Sequence, residues 1–323
     1  MTYDFDPELA PWVSKLGRID YADLDTARAT LRQITARQPP YAPLVPVDVT
    51  HRTSPGRPEG PPVAVRIYRP GGHPEPSPVL IYLHGGGFVL GDLDTIHSSA
   101  TRIADQVGVV VVSVDYRLAP EYPFPAGLED CYAVLEWIAW HAGELGIDPR
   151  RIGVGGESSG GGLAAAVTLL ARDRGGPHLC FQCLLSPELD DRLDTISARF
   201  FIDTPKFDRA NALASWTYYL GKLGEPGSSG ISEHAAPGRA TDLTGLPPAF
   251  VSACEFDPLR DEDIAYAHRL IQAGVRTELR YYPGTFHASF TITDAAVSKK
   301  MITDQIDALR RGLRAIEMGG ENR

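Results

Sequence analysis

Four short stretches of this chain carry residues that could together make and break a covalent bond. Gly156-Glu157-Ser158-Ser159-Gly160 sets a serine among small residues in the frame G-x-S-x-G. Asp257 and His287 lie further on, and His84-Gly85-Gly86-Gly87 lies before. A serine hydroxyl is a weak nucleophile until a base takes its proton. The base needs a partner that fixes its ring, and the oxyanion that forms needs N–H donors. Ser158, His287, Asp257 and the glycine run are candidates for those four jobs. The chemistry implied is attack on a carbonyl carbon through a covalent intermediate.

Each assignment has rivals in the sequence. The frame selects Ser158 over Ser159, because Glu157 and not glycine stands two places before Ser159. A dinucleotide fingerprint beginning at Gly153 would need glycine at 158, and a P-loop would need a lysine that the run lacks. His287 is the only histidine after His268, which falls inside an expected helix. Asp257 lies nearest the end of an expected strand. Asp261 and Asp263 fall in the next helix start, where an N-cap or first-turn role explains them, and Glu255 is the fallback acid. Consecutive glycines let backbone N–H groups converge without Cβ obstruction, and the Ser159 N–H could join them. Losing one such donor typically costs about 3–4 kcal/mol of transition-state stabilisation.

These residues must be held at one edge of a sheet. Val79-Leu80-Ile81-Tyr82-Leu83 is a near-continuous apolar run, as a buried parallel strand requires, and it ends at His84. A helix is expected over Thr95–Gln106, a strand over Val109–Val114 and a helix over Ala126–Gly143, before the strand that leads into Ser158. Strand Leu179–Leu185 follows, then a long aromatic region expected to be helical from about Asp190 to Gly224. Alternation resumes with strand Pro248–Cys254, helix Asp261–Ala273, strand Thr277–Tyr282 and helix Asp294–Ile316. Both Asp257 and His287 therefore emerge where Ser158 does. Upstream, Val45–Thr53 and Pro62–Arg69 read as an antiparallel pair. Residues 1–45 contain a helix over Ala22–Arg37, either an arm packed on the domain or part of a cap over the site.

Composition narrows the partners. The 323 residues carry a net charge of −10, which argues against nucleic acid or an anionic membrane. A hydrophobic content of 43% gives ample core for a globular fold, and no apolar run approaches bilayer length. The opening Met1-Thr2-Tyr3-Asp4-Phe5-Asp6 is acidic and unlike a secretory signal, so a cytoplasmic location is expected. Cys131, Cys180, Cys183 and Cys254 are too few for a disulfide scaffold. Cys180-Phe181-Gln182-Cys183 lacks the second half of a zinc site, so free thiols are expected.

Taken together, His84–Phe88, Asp115–Glu121, Gly156–Gly161, Asp257–Glu262 and His287 resemble the hormone-sensitive-lipase-like family of α/β-hydrolases, the bacterial family IV esterases. Leu243–Pro248 resembles the family's lead-in to the acid-bearing strand. The resemblance implies an α/β-hydrolase fold with an eight-stranded, mostly parallel sheet and helices on both faces. It implies a helical cap formed by residues 1–45 and an insertion at about 190–224, on a catalytic domain of 46–323. It implies carboxylic-ester hydrolysis without a cofactor or metal. The nucleophile falls on Ser158, the acid on Asp257, the base on His287, and the oxyanion donors on Gly86, Gly87 and Ser159. The expected partner is a small-molecule ester, with no nucleic acid or membrane, and a homodimer is compatible. Amide or lactone hydrolysis uses the same machinery. A non-catalytic binder of the same shape would lack the histidine that stands here at 287. The chain departs from the family's usual Gly-Asp-Ser-Ala-Gly-Gly at Glu157 and Ser159, and in having Ala288-Ser289-Phe290 after the histidine.

Overall fold

The computed structural model describes residues 3–17, 19–57, 60–73 and 75–314. Its strands are β1 (Val47–Ser54), β2 (Val63–Pro70), β3 (Ser77–Leu83), β4 (Val110–Val114), β5 (Ile147–Glu157), β6 (Phe181–Leu185), β7 (Ala249–Phe256) and β8 (Thr277–Phe286). Its helices are α1 (Ala10–Val13), α2 (Leu24–Arg37), α3 (His97–Ile103), α4 (Ala126–Trp140), α5 (Ser159–Asp173), α6 (Ile196–Phe200), α7 (Arg209–Leu220), α8 (Arg260–Gln272) and α9 (Ala296–Arg314). The strands form one sheet in the order β1-β2-β4-β3-β5-β6-β7-β8. Pairings β1/β2 and β2/β4 are antiparallel, and every pairing from β4 to β8 is parallel.

The apolar runs explain the layering. Successive strand side chains face opposite sides, so a run with no polar residue must be covered on both. Val79, Ile81 and Leu83 join a core with α4 and α5, through residues such as Leu135 and Leu169. Leu80 and Tyr82 join a second core with α3 and α9, through Ile103 and Leu309. All five residues from Val79 to Leu83 are completely buried.

Several boundaries differ from expectation, each for a local reason. β8 runs on through Pro283 and Gly284 to Phe286, where pairing with Phe256 resumes after a register shift. That extension delivers His287 directly from a strand end. The helix expected at Thr95–Gln106 is α-helical only to Ile103 and then widens into a π-turn, Ala104–Gly108, that closes on Gly108 at φ 75°. The region 190–224 is helical only in part. α6 and α7 are capped by Thr195 and Asp208, and a loop through Pro205 separates them. The last two residues of the expected C-terminal helix, Ala315 and Ile316, lie outside the described residues.

The N-terminal segment packs over the carboxyl edge of the sheet. Leu9 joins a small apolar cluster with Phe286 and Ile292, on either side of His287. Further along, the Tyr21 N–H and the Ile19 carbonyl pair with the Asn211 side chain of α7. Arg28 of α2 donates to the Val89 carbonyl, just past the glycine run, and pairs with Glu121.

Candidate active site

The turn between β5 and α5 is sharp. Ser158 sits at φ 55° and ψ −123°, a conformation that costs a non-glycine residue about 1–3 kcal/mol. Its neighbours explain how the chain accommodates it. A Cβ on Gly156 would stand 2.3 Å from the Gly160 carbonyl oxygen, and one on Gly160 would stand 2.3 Å from that of Leu83. Glycine is required at both places because backbone passes backbone. The Ser158 N–H donates to Leu185 O at 2.8 Å, and its carbonyl accepts from Gly162 and Glu188. The strained residue is thus pinned from β6 and from its own helix.

Ser158, His287 and Asp257 form one hydrogen-bonded line. His287 Nε2 lies 2.9 Å from Ser158 Oγ, and Nδ1 lies 2.6 Å from Asp257 Oδ2. The Asp257 carboxylate can only accept from Nδ1–H, which leaves the Nε2 lone pair facing the serine hydroxyl. Asp257 is fully buried, and its Oδ1 accepts from the Leu259 N–H at 3.0 Å. Such a line can move a proton from hydroxyl to imidazole while the carboxylate holds the ring. The rival acids are engaged elsewhere or lack a partner. Glu255 accepts from the Gly284 N–H, and Asp261 accepts from the Ser197 N–H and pairs with Arg260. Asp263 stands in the first turn of α8, as expected. It is fully buried and neither carboxylate oxygen has a hydrogen-bond partner. Burial, then the charge of Asp257, push it well above the usual carboxylate range.

The glycine run wraps the other side of the serine. A Cβ on Gly85 would come within 3.2 Å of Ser158 Cβ, so the loop lies directly against it. Gly86 and Gly87 take φ values of 130° and 59°, turning the peptide units as only glycine does readily. Ser159 is the first residue of α5, where an N–H has no acceptor within the helix. His84 anchors the loop from behind. Its ring stacks on Tyr116 at 4.2 Å, and its Nδ1–H donates to the Gly85 carbonyl. Burial lowers its pKa to about 4, so the ring is neutral near pH 7.

Sequence reasoning missed a second ring of residues. A Cβ on Gly87 would meet the Tyr21 ring at 2.5 Å and Ser215 Cβ at 2.9 Å, so the N-terminal segment and α7 both close on the glycine loop. Glu188 is fully buried, and its N–H donates to the Ser158 carbonyl. One carboxyl oxygen accepts from the Ser215 hydroxyl, and the other has no partner. Its place in Ser186-Pro187-Glu188, just past a strand that ends at the same edge, was the available signal. Burial raises the Glu188 carboxyl to about 8, with Asp257 adding to the rise. An acid raised in the fold but not in the unfolded chain contributes full stability below about pH 4.5. That contribution is lost as pH rises toward 8, at up to roughly 1.4 kcal/mol per pH unit. Glu188→Gln removes this dependence and keeps an acceptor for Ser215. The Tm of the variant relative to the parent is expected to climb steadily from pH 5 to pH 8 in thermal melts. A flat difference would contradict a neutral buried carboxyl.

Away from this edge, Asp173, Glu233 and His234 bring ligand atoms within 4.8 Å of one another. They stand at the opposite end of α5, and Asp173 is already paired with Arg172 and His234.

The fold and this edge define a class. The alpha/beta hydrolase fold family matches residues 80–291, and the chain belongs to it, in the hormone-sensitive-lipase-like branch. The sequence is 40% identical over 293 residues to "Carboxylesterase NlhH" of Mycobacterium tuberculosis, covering 90% of each chain. It is 37% identical to "Esterase LipI" of the same organism, covering 91% of this chain and 88% of that one. Among solved structures, "Bacterial Heroin Esterase" superimposes with a TM-score of 0.92 at 47% identity, covering 96% of this chain and 98% of that one.

Proposed function

We propose that this chain is a serine carboxylesterase acting on short-to-medium acyl esters in solution. The observation that carries the reading is the continuous line from Ser158 Oγ through His287 to Asp257. Ser158 attacks the ester carbonyl as His287 Nε2 takes its proton. The imidazolium, steadied by Asp257, returns that proton to the departing alkoxide, and the acyl group is left on Ser158. Water then attacks the acyl-enzyme with His287 as base again, releasing the acid and restoring the serine. The oxyanion of each tetrahedral intermediate is held by the N–H groups of Gly86, Gly87 and Ser159. Residues 1–45 and the segment 190–224 act as a cap on the catalytic domain 46–323. The packing of Tyr21 and Ser215 on Gly87 supports that division.

A capped site bounds the substrate. Each buried methylene contributes about 0.8 kcal/mol until the space beneath the cap is filled, after which added carbons stay in water or prise the cap away. No helix among the described residues is long and apolar enough to cross a membrane. Four free cysteines, three of them buried, support a reducing, cytoplasmic location. With p-nitrophenyl esters of graded length, kcat/KM is expected to peak at short-to-medium chains and fall beyond them. It should show no jump as substrate crosses its solubility limit. Faster turnover of emulsified long-chain triglyceride than of soluble esters would overturn the substrate range.

A further inference from the structure

Between α6 and α7 the cap sends two consecutive side chains to the histidine. The Phe207 ring packs on the His287 imidazole with centroids 4.8 Å apart, and Phe207 is 2% exposed. Lys206 Nζ donates to the Ala288 carbonyl at 3.1 Å and to Thr291 Oγ1. Ala288 follows His287 directly and sits in the left-handed region, at φ 56°. Its carbonyl also accepts from Thr291 Oγ1 at 2.9 Å, so the ammonium closes a small ring of hydrogen bonds on the turn behind the base. Lys206 is itself at φ 66°, an uncommon conformation for a residue with a Cβ. The loop that presents it is held independently. Thr204 Oγ1 donates to the Phe207 carbonyl at 2.7 Å, and the Phe207 N–H donates to Pro205 O at 2.8 Å.

We infer that Lys206 and Phe207 are positioning residues for His287, through which the cap sets the base against Ser158. The inference rests on His287 being the base proposed above. The Asp257 hydrogen bond fixes one edge of the imidazole, while the other edge meets only the Ser158 hydroxyl, which turns about its own Cα–Cβ bond. Phe207 limits pivoting of the ring by covering one face. Lys206 limits the drift of the backbone that carries the ring, by tying Ala288 and Thr291 to the cap. Burial lowers the Lys206 pKa to about 8, opposed by the nearby Glu157 carboxylate, so holding it charged has a cost. A small misplacement of a catalytic group is expensive in rate while leaving ground-state binding nearly untouched.

The test compares Lys206→Met, which keeps the aliphatic stem, with Lys206→Arg, which keeps two donors, on a soluble p-nitrophenyl ester. Lys206→Met is expected to lower kcat roughly ten- to a hundredfold, with KM within about twofold of the parent. Lys206→Arg should recover most of the loss. The downfield proton resonance of the His287–Asp257 hydrogen bond should broaden or shift in the methionine variant and return with arginine. Thr291→Val removes one of the two acceptors of the ammonium and, should the methionine variant fold poorly, gives a smaller kcat-selective loss on its own. Two outcomes overturn the inference alone. One is a kcat unchanged in both Lys206→Met and Thr291→Val while Ser158→Ala is inactive. The other is a loss that follows Tm and is not recovered by arginine. Full activity in His287→Ala instead defeats the proposed mechanism, and the inference falls with it.

Discussion

Ser158→Ala is expected to lower kcat by roughly 10⁴–10⁶-fold on a soluble ester, while Ser159→Ala keeps most of the activity. The asymmetry follows from what each serine uses. Ser158 Oγ is the atom 2.9 Å from His287 Nε2, and without it no acyl-enzyme forms. Ser159 is fully buried, and on the proposed mechanism only its N–H matters, which alanine keeps. Removing the Ser158 hydroxyl should also leave the fold intact. The turn is held by backbone bonds to Leu185, Gly162 and Glu188, none of which involves Oγ. Steady-state rates beside thermal melts check both statements. Equal losses in the two variants would show that the frame had been read one residue out.

Asp257→Asn is expected to lower kcat by about 10⁴-fold with the protein still folded. The buried carboxylate accepts from Leu259 N–H and from His287 Nδ1, and this second contact dictates where the ring proton sits. An asparagine can turn its NH₂ toward Nδ1, which moves the ring proton to Nε2. Nε2 then donates toward Ser158 and can no longer take its proton. The distinguishing signature is that substrate binding survives. KM should stay within a few-fold while kcat collapses, since the lost interaction stabilises the imidazolium and not the bound ester. Retention of activity in Asp257→Asn, with a collapse in Glu255→Gln, would transfer the role to the fallback acid. The engagement of Glu255 with Gly284 N–H argues against that exchange.

The residues visible in the sequence are those whose backbone constraints dictate residue type. Gly156 and Gly160 are glycine because a Cβ would strike a carbonyl, and Gly86 and Gly87 because φ is positive. Such demands write motifs. The apolar runs of β3 and β4 were legible for a similar reason, since strands covered on both faces have no polar side. Lys206, Phe207, Tyr21 and Glu188 left no such mark. A lysine, a phenylalanine, a tyrosine and a glutamate satisfy many local settings. The relation of the first three to His287 and Gly87 exists only once the cap and the N-terminal segment are docked. β8 is longer than the expected Thr277–Tyr282 because the strand passes through Pro283 and Gly284 with a register shift. The choice of Asp257 over Glu255 follows strand position; in the fold Asp257 meets His287 Nδ1 and Glu255 meets the Gly284 N–H.

The central claim is that an acyl group passes through Ser158. A phosphonate ester with a p-nitrophenyl leaving group mimics the tetrahedral intermediate and stops at the covalent stage, because the serine oxygen displaces p-nitrophenoxide and the phosphorus–oxygen bond persists. Intact-mass and peptide mass spectrometry of the inactivated protein measure stoichiometry and site together. The account predicts one adduct per chain, on Ser158, forming in step with loss of esterase activity, and none in Ser158→Ala or when His287 is replaced by alanine. Inactivation without an adduct at Ser158, or an adduct on Ser159 or another residue that tracks the loss, would contradict it.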